Sequence, residues 1–139
     1  MKLVRGNLKH PFLMATLSAL AATSMAQSVG KYSYRSIDKS RTGSIFIHSV
    51  SGKQVVLDLQ VEFNPSMTRD GFYTRSGELD SKTVLPLVGN VAMYQSPVED
   101  PSRCALVLVF THKGHIDVSQ FGKCSWFGEG VSATGHYTK

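Results

Sequence analysis

The stretch Gln54-Val55-Val56-Leu57-Asp58-Leu59-Gln60-Val61-Glu62-Phe63 decides the fold. Val55, Leu57, Leu59, Val61 and Phe63 take alternate positions, and Gln54, Asp58, Gln60 and Glu62 take the others, with Val56 the one apolar member among them. Side chains of an extended strand point to opposite faces in turn, so this order makes a ribbon that is apolar on one side and wet on the other. Wound into a helix, the same residues would scatter their polar groups around the whole surface. A half-buried strand is predicted.

Working outward, the same period recurs. Cys104, Leu106, Leu108 and Phe110 alternate with Ala105, Val107 and Val109, a run whose two faces both read as buried. Ile116 and Val118 continue it on a return strand, and Val131, Ala133, Gly135 and Tyr137 carry it to the end. Upstream, Tyr32 and Tyr34 alternate with Lys31, Ser33 and Arg35, and Ile45 and Ile47 alternate with Ser44, Phe46 and His48. Turn-forming clusters such as Ser51-Gly52-Lys53, Gly89-Asn90 and Lys113-Gly114 separate the runs. Ser96 to Ser102, with its two prolines, reads as a surface loop, and the weakest strands fall between Gly71 and Tyr94. The expected fold is all-β: a single small antiparallel β-barrel of seven or eight strands, the alternative being a β-sandwich. Closure is favoured because an open sheet of this size exposes two edges, and only Pro86 is placed to blunt one.

A length of 139 residues fits one domain. Residues 1–26 carry the parts of a secretory signal peptide: basic Lys2, Arg5 and Lys9, an apolar run from Phe12 to Ala22, and the small residues Ser24 and Ala26 before a cut. Cleavage after Ala26 leaves 27–139 as the mature barrel domain, periplasmic or secreted, with no integral membrane segment. The chain holds 15 Lys and Arg against 10 Asp and Glu. Three of the basic residues belong to the leader, so the mature charge is only about +2, a weak footprint for nucleic acid.

Cys104 and Cys124 meet an oxidising compartment on export, and an even count fits one disulfide. Counting back from the turn at Thr111 to Gly114 sets Cys104 opposite 121 or 122, and Gly122 supplies the bulge that brings Cys124 within range. A spacing of 20 residues is not that of a C-x-x-C metal or redox pair.

Sites for chemistry are sparse, and no catalytic residue and no cofactor are expected. His112 and His115 form H-x-x-H across a turn with Asp117 beyond, but His48 and His136 belong to other strands with no reason to converge on them, so no metal is expected. Asp58 and Glu62 share a wet strand face, and no G-x-S-x-G occurs. Gly128 and Gly130 follow Trp126-Phe127 rather than a strand opening into a helix, so no phosphate loop is read there. Basic and aromatic residues interleave at Lys31 to Arg35 and Arg69 to Arg75, a pairing that single-strand binding would use; export and low charge speak against nucleic acid. One loop stands out: Ser125, Trp126, Phe127 and Glu129 follow the second cysteine and hold the only tryptophan. Two large rings on a stapled loop either anchor a partner or cap a barrel end.

The order Cys104-x-Leu106-x-Leu108-x-Phe110, Ile116-x-Val118-x-Gln120, Cys124, then Phe127-Gly128-x-Gly130-Val131-x-Ala133-x-Gly135-x-Tyr137-x-Lys139 resembles the tail of small exported proteins of Gram-negative bacteria. Some of these are grouped with periplasmic lysozyme inhibitors, compact disulfide-bonded β-barrels that insert a loop into the lysozyme cleft. The resemblance covers residues 104–139 alone. The inhibitors' contact motif, a serine-containing loop near Gly, Tyr and Lys, has no counterpart here, so no inhibitory residue is carried over. What it implies is an envelope location and a barrel fold; with export, a stapled β fold and no catalytic set, the expected function is a non-catalytic exported binding protein, an inhibitor of a lysozyme-like glycan-cleaving enzyme or a binder of another protein of the envelope or of host secretions. The alternative function is a lipocalin-like carrier of a small apolar ligand.

Overall fold

A computed structural model describes residues 28–65 and 74–139. The proposed leader and its cleavage point, and Arg69, Phe72 and Tyr73 of the second basic-aromatic stretch, lie outside the described residues. The described chain is all-β: β1 (Gly30–Arg35), β2 (Arg41–Val50), β3 (Gln54–Phe63), β4 (Arg75–Glu78), β5 (Thr83–Val88), β6 (Val91–Gln95), β7 (Ala105–His112), β8 (His115–Phe121) and β9 (Gly135–Thr138). All pairings are antiparallel. The sheet runs from β2 through β1, β9, β8, β7, β6 and β5 to β3, and β3 pairs with β2 to close an eight-stranded barrel, with β4 as a further strand.

The sequence suggests seven or eight strands; the ninth arises because one stave of the wall is broken in two. One edge of β3 pairs with β2 along its length. On its other edge, residues Gln54 to Leu57 pair with β5, and Gln60 to Phe63 pair with β4. The break between β4 and β5 is a tight turn in which Lys82 takes a φ of 55°. That turn is tied to β3 by Asp58, which accepts the Lys82 N–H at 2.6 Å, while the Asp80 carbonyl accepts from the Thr83 hydroxyl at 2.6 Å.

The alternation read in β3 becomes the barrel's inside and outside. Val55, Leu57, Leu59 and Val61 are 0–1% exposed. They meet Tyr32, Ile45, Ile47, Leu85, Leu106, Leu108, Ile116 and Tyr137 in one core. Full burial of each such aliphatic side chain is favourable by about 1.5–3 kcal/mol. The outer face of β7 differs from the sequence reading: Val107 and Val109 are half-buried, because only their cross-strand neighbours, Met93 and Ser119, Val91 and Asp117, flank them on the solvent side of the wall. Pro86 lies within the wall rather than at an edge. The β5–β6 ladder has two pairs, Leu87 with Ala92 and Val88 with Val91, and Pro86, which has no N–H to give, follows the last of them.

Cys104 and Cys124 are joined, with Cα atoms 4.8 Å apart. The last rung of the β7–β8 hairpin is Ala105 with Phe121. Gly122 then turns the chain in a left-handed conformation, φ 71°, where a Cβ would lie 2.8 Å from the carbonyl oxygens of Ser102 and Arg103. This turn beyond the end of β8, rather than a bulge within it, brings Cys124 to Cys104, and both cysteines are buried; the one irregularity of the hairpin lies between Phe110 and His112.

Two outcomes follow from this packing. Leu59→Ala empties space at the centre of the barrel and lowers unfolding free energy in urea by about 2–5 kcal/mol; a loss below 1 kcal/mol would mean that Leu59 is not in the core. The double variant Cys104→Ala/Cys124→Ala opens a 20-residue loop and loses about 3 kcal/mol by the chain-entropy relation, read as a lowered urea midpoint with a slope that rises as the uncrosslinked denatured chain exposes more surface.

Candidate functional site

The β5 and β6 ladders part after Pro86, and a surface cleft of about 750 Å³ opens where they diverge, with Thr83 on one side and Tyr94 on the other. Leu79, Pro97 and Trp126 complete its apolar lining, and Glu78, Asp80, Glu99 and Asp100 complete its polar lining. No lysine, arginine or histidine is among the lining residues. Each wall has a local cause. Asp80 stands on the turn that Asp58 holds. Pro97 to Asp100 form a turn closed by the Asp100 N–H on the Pro97 carbonyl at 2.9 Å, and Asp100 accepts from the Ser102 N–H at 2.9 Å and the Ser125 hydroxyl at 3.3 Å. Trp126 arrives on the loop that the disulfide anchors.

Within that loop the two rings meet edge-on, centroids 6.0 Å apart, but sit differently. Phe127 lies flat against the wall: a Cβ on Gly77 would sit 2.2 Å from its ring, so only glycine admits it, and the Phe127 N–H donates to the Cys124 carbonyl at 2.9 Å. Phe127 packs on the core. Trp126 keeps 37% of its surface exposed and meets Tyr94 edge-on, ring centroids 5.7 Å apart. Glu129 faces away from the cleft toward Arg75, which approaches its carboxylate at 3.5 Å and donates to its carbonyl at 3.0 Å. Of the residues singled out in the sequence, Trp126 therefore lines the cleft, Ser125 braces it, and Phe127 and Glu129 secure the loop. Partial burial, and then the charges of Asp100 and Asp80, push the Tyr94 hydroxyl above its ordinary pKa, which keeps it a neutral donor in the cleft.

Elsewhere, the polar clusters are ties. His48 Nε2 and Asp58 Oδ2 are 2.8 Å apart, and the Ser81 hydroxyl reaches the other oxygen of Asp58 at 3.4 Å. The carboxylate stands between serine and histidine, whereas nucleophile activation needs the histidine in the middle. Asp58 and Glu62 are four residues apart on one face, about 13 Å, beyond the ~9.5 Å limit for a glycosidase pair. Two serine–lysine spacings match a nucleophile pattern: Ser28-Val29-Gly30-Lys31, where the Ser28 hydroxyl meets the Tyr32 hydroxyl and the Lys139 ammonium, and Ser36-Ile37-Asp38-Lys39, the β1–β2 turn, where the Ser36 hydroxyl donates to Asp38, which also accepts from Ser40. Those bonds, Ser36 first, bring the Asp38 carboxyl down to about 2. In β1, Tyr32 is buried and donates to the Ser28 carbonyl at 2.7 Å, so its ring is not offered, whereas half-buried Tyr34, packed on Tyr137, lines a surface cleft with Lys31 and Arg35.

One sequence expectation is corrected. His136 does converge on the turn histidines, because β9 pairs with β8 and sets Asp117 opposite His136. His115 Nδ1 and His136 Nε2 are 3.1 Å apart, His136 Nδ1 bonds Asp117, and the rings of His112 and His115 stack at 3.9 Å. The inward run of Ile116 and Val118 against that of Gly135 and Tyr137 fixes these groups on the outer face. That register was present in the sequence pattern but needed the strand pairing to be read. Among the described residues, no group of three or more His, Cys, Asp or Glu side chains has its donors gathered for a metal ion, and no helix is long and apolar enough to cross a membrane.

No family model, no curated protein and no solved structure matches the chain.

Asp58 supplies a pH-dependent check on the turn beside the cleft. The Lys82 N–H first, and then His48, hold its carboxyl below the ordinary value near 3.8. A depressed folded pKa gives stability that is present above about pH 4 and lost as pH falls through the folded value. Asp58→Asn is thus expected to be less stable than the parent at pH 7, with the difference in urea midpoint shrinking by pH 2. A difference that is constant across that range would contradict the assignment.

Proposed function

We propose that this chain is a non-catalytic exported binding protein, periplasmic or secreted, that takes a cationic segment of a partner protein into the cleft at Trp126 and Tyr94. The observation that carries this reading is a half-exposed tryptophan, edge-on to a tyrosine, above a cleft lined by four carboxylates and no basic residue. An ammonium or guanidinium group gains about 0.5–2 kcal/mol over the face of an aromatic ring, and the carboxylates add long-range attraction that speeds encounter. Tryptophan held on a rigid loop loses little side-chain freedom on binding, which is why such residues dominate interface energetics. The same charges repel polyanions, so nucleic acid is disfavoured.

The partner class is a basic protein of the envelope or of host secretions. A lysozyme-like glycan-cleaving enzyme is the member of that class that the resemblance of residues 104–139 brings forward. Against the lipocalin-like alternative, the large aliphatic and aromatic side chains of all the long strands fill the barrel interior, so a ligand would have to displace them.

Trp126 is the only tryptophan, so its fluorescence reports on the cleft directly. Titration of the mature protein with a basic lysozyme-type muramidase, and with lysine- and arginine-rich peptides, is expected to shift Trp126 emission in a saturable, salt-sensitive manner. Trp126→Ala, followed by calorimetry, weakens that binding by about tenfold or more, a loss of at least ~1.4 kcal/mol, with little change in melting temperature. Phe127→Ala does the reverse: it lowers stability and spares affinity in the folded fraction. Cationic partners that leave the emission unchanged, or a Trp126→Ala variant that binds as tightly as the parent, would overturn the reading.

A further inference from the structure

At the barrel surface where β8 meets β9, two imidazole nitrogens face each other across 3.1 Å, His115 Nδ1 and His136 Nε2. The other nitrogen of His136 bonds the Asp117 carboxylate. An ionised carboxylate only accepts, so His136 carries a proton on Nδ1, and in its neutral form the lone pair is on Nε2. This is the arrangement in which a carboxylate orients a histidine as a metal ligand. We propose that His115 and His136 together bind one divalent transition ion of the imidazole-preferring class, copper(II) more tightly than nickel(II) or zinc(II), with Asp117 as the residue that orients His136.

The geometry carries the proposal in three respects. Two nitrogens each about 2.0–2.1 Å from a metal, at angles between 90° and tetrahedral, stand about 2.9–3.4 Å apart, and the observed separation of 3.1 Å lies in that range, so binding requires the two rings to turn toward a common point but not to move apart. The positions are fixed by register rather than by a loop: Asp117 pairs with His136, and His115 with Thr138. A third imidazole is at hand, since His112 is the cross-strand partner of His115 and stacks on it with ring centroids 3.9 Å apart. In the arrangement described, the two facing nitrogens share one hydrogen bond instead of aiming at a common point. Entry of the ion replaces that bond: His115 changes tautomer, its proton passing from Nδ1 to Nε2 through water, so two neutral imidazoles bind with no net proton release. Rotation of the exposed His112 ring adds a third nitrogen, and water completes the sphere. Imidazole donors and the usual order of divalent affinities set the preference for copper over zinc. Lys139, the nearby C-terminal cation, directs its ammonium away, donating to the Val29 carbonyl at 2.7 Å.

The test is calorimetric titration of untagged mature protein with copper(II) and with zinc(II) at neutral pH, beside the single variants His115→Ala, His136→Ala, Asp117→Asn and His48→Ala. One ion per chain is expected. Binding is abolished by either of the first two substitutions, weakened about tenfold or more by Asp117→Asn, and unchanged by His48→Ala, whose histidine bonds Asp58 instead. Copper(II) added substoichiometrically to isotope-labelled parent protein broadens the amide signals of His115 and His136 first, a readout that needs no variant. An absence of heat and broadening, broadening centred on His48, or binding that survives in both His115→Ala and His136→Ala would each overturn the proposal.

Discussion

The burial of one face of β3 is the constraint on which the rest of the molecule depends. Val55, Leu57, Leu59 and Val61 must all face inward, and a slip of one residue would turn Asp58, Gln60 and Glu62 into the core. With that register fixed, β2 occupies one edge along its whole length, and the other edge is divided between β4 and β5. The division has a consequence for the surface. The turn that separates β4 from β5 places Asp80 beside the cleft, and the short β5–β6 ladder leaves room for a cleft that Tyr94 and Trp126 line. The outward face of the same strand supplies Asp58, the acceptor that holds the turn. One ten-residue alternation thus sets both the interior and the edge of the cleft.

Much of this was legible in the residues. Alternation in Gln54 to Phe63 and in Cys104 to Phe110 marked two staves, and the turn at Lys113-Gly114 with a glycine at 122 led to the Cys104–Cys124 bridge that the structure contains. The broken stave was not legible, because Arg75 to Glu78 is short and has no large apolar residue, and Thr83 to Val88 is apolar at successive positions and so shows no alternation; the place of both is set by pairing to β3. The half-buried outer face of β7 was misread for a related reason: valine at alternate positions looks the same whether a second layer or only neighbouring side chains cover it.

The candidate site was legible in part. Trp126 and Phe127 stood out together, and packing then divided their roles, since the absence of a side chain at Gly77 gives Phe127 a seat on the wall that Trp126 lacks. Tyr94, Glu99 and Asp100 were invisible as site residues, as nothing local distinguishes them from loop residues; they become a cleft only because the sheet parts beside them. The meeting of His115, His136 and Asp117 lay hidden in the same way, in a strand register that joins positions about twenty residues apart.

Residues on opposite parts of the barrel therefore have separate tasks in this account: an acidic aromatic corner for a partner and a histidine face for an ion. The most direct measurement is a map of backbone amide shifts in labelled mature protein as a basic muramidase-type partner is added. The account predicts that the changes begin and remain concentrated at Tyr94, Val98 to Asp100 and Trp126, while His115 and His136 stay unmoved. Changes centred on the outer face of β1 to β3, or spread evenly around the barrel, would contradict it.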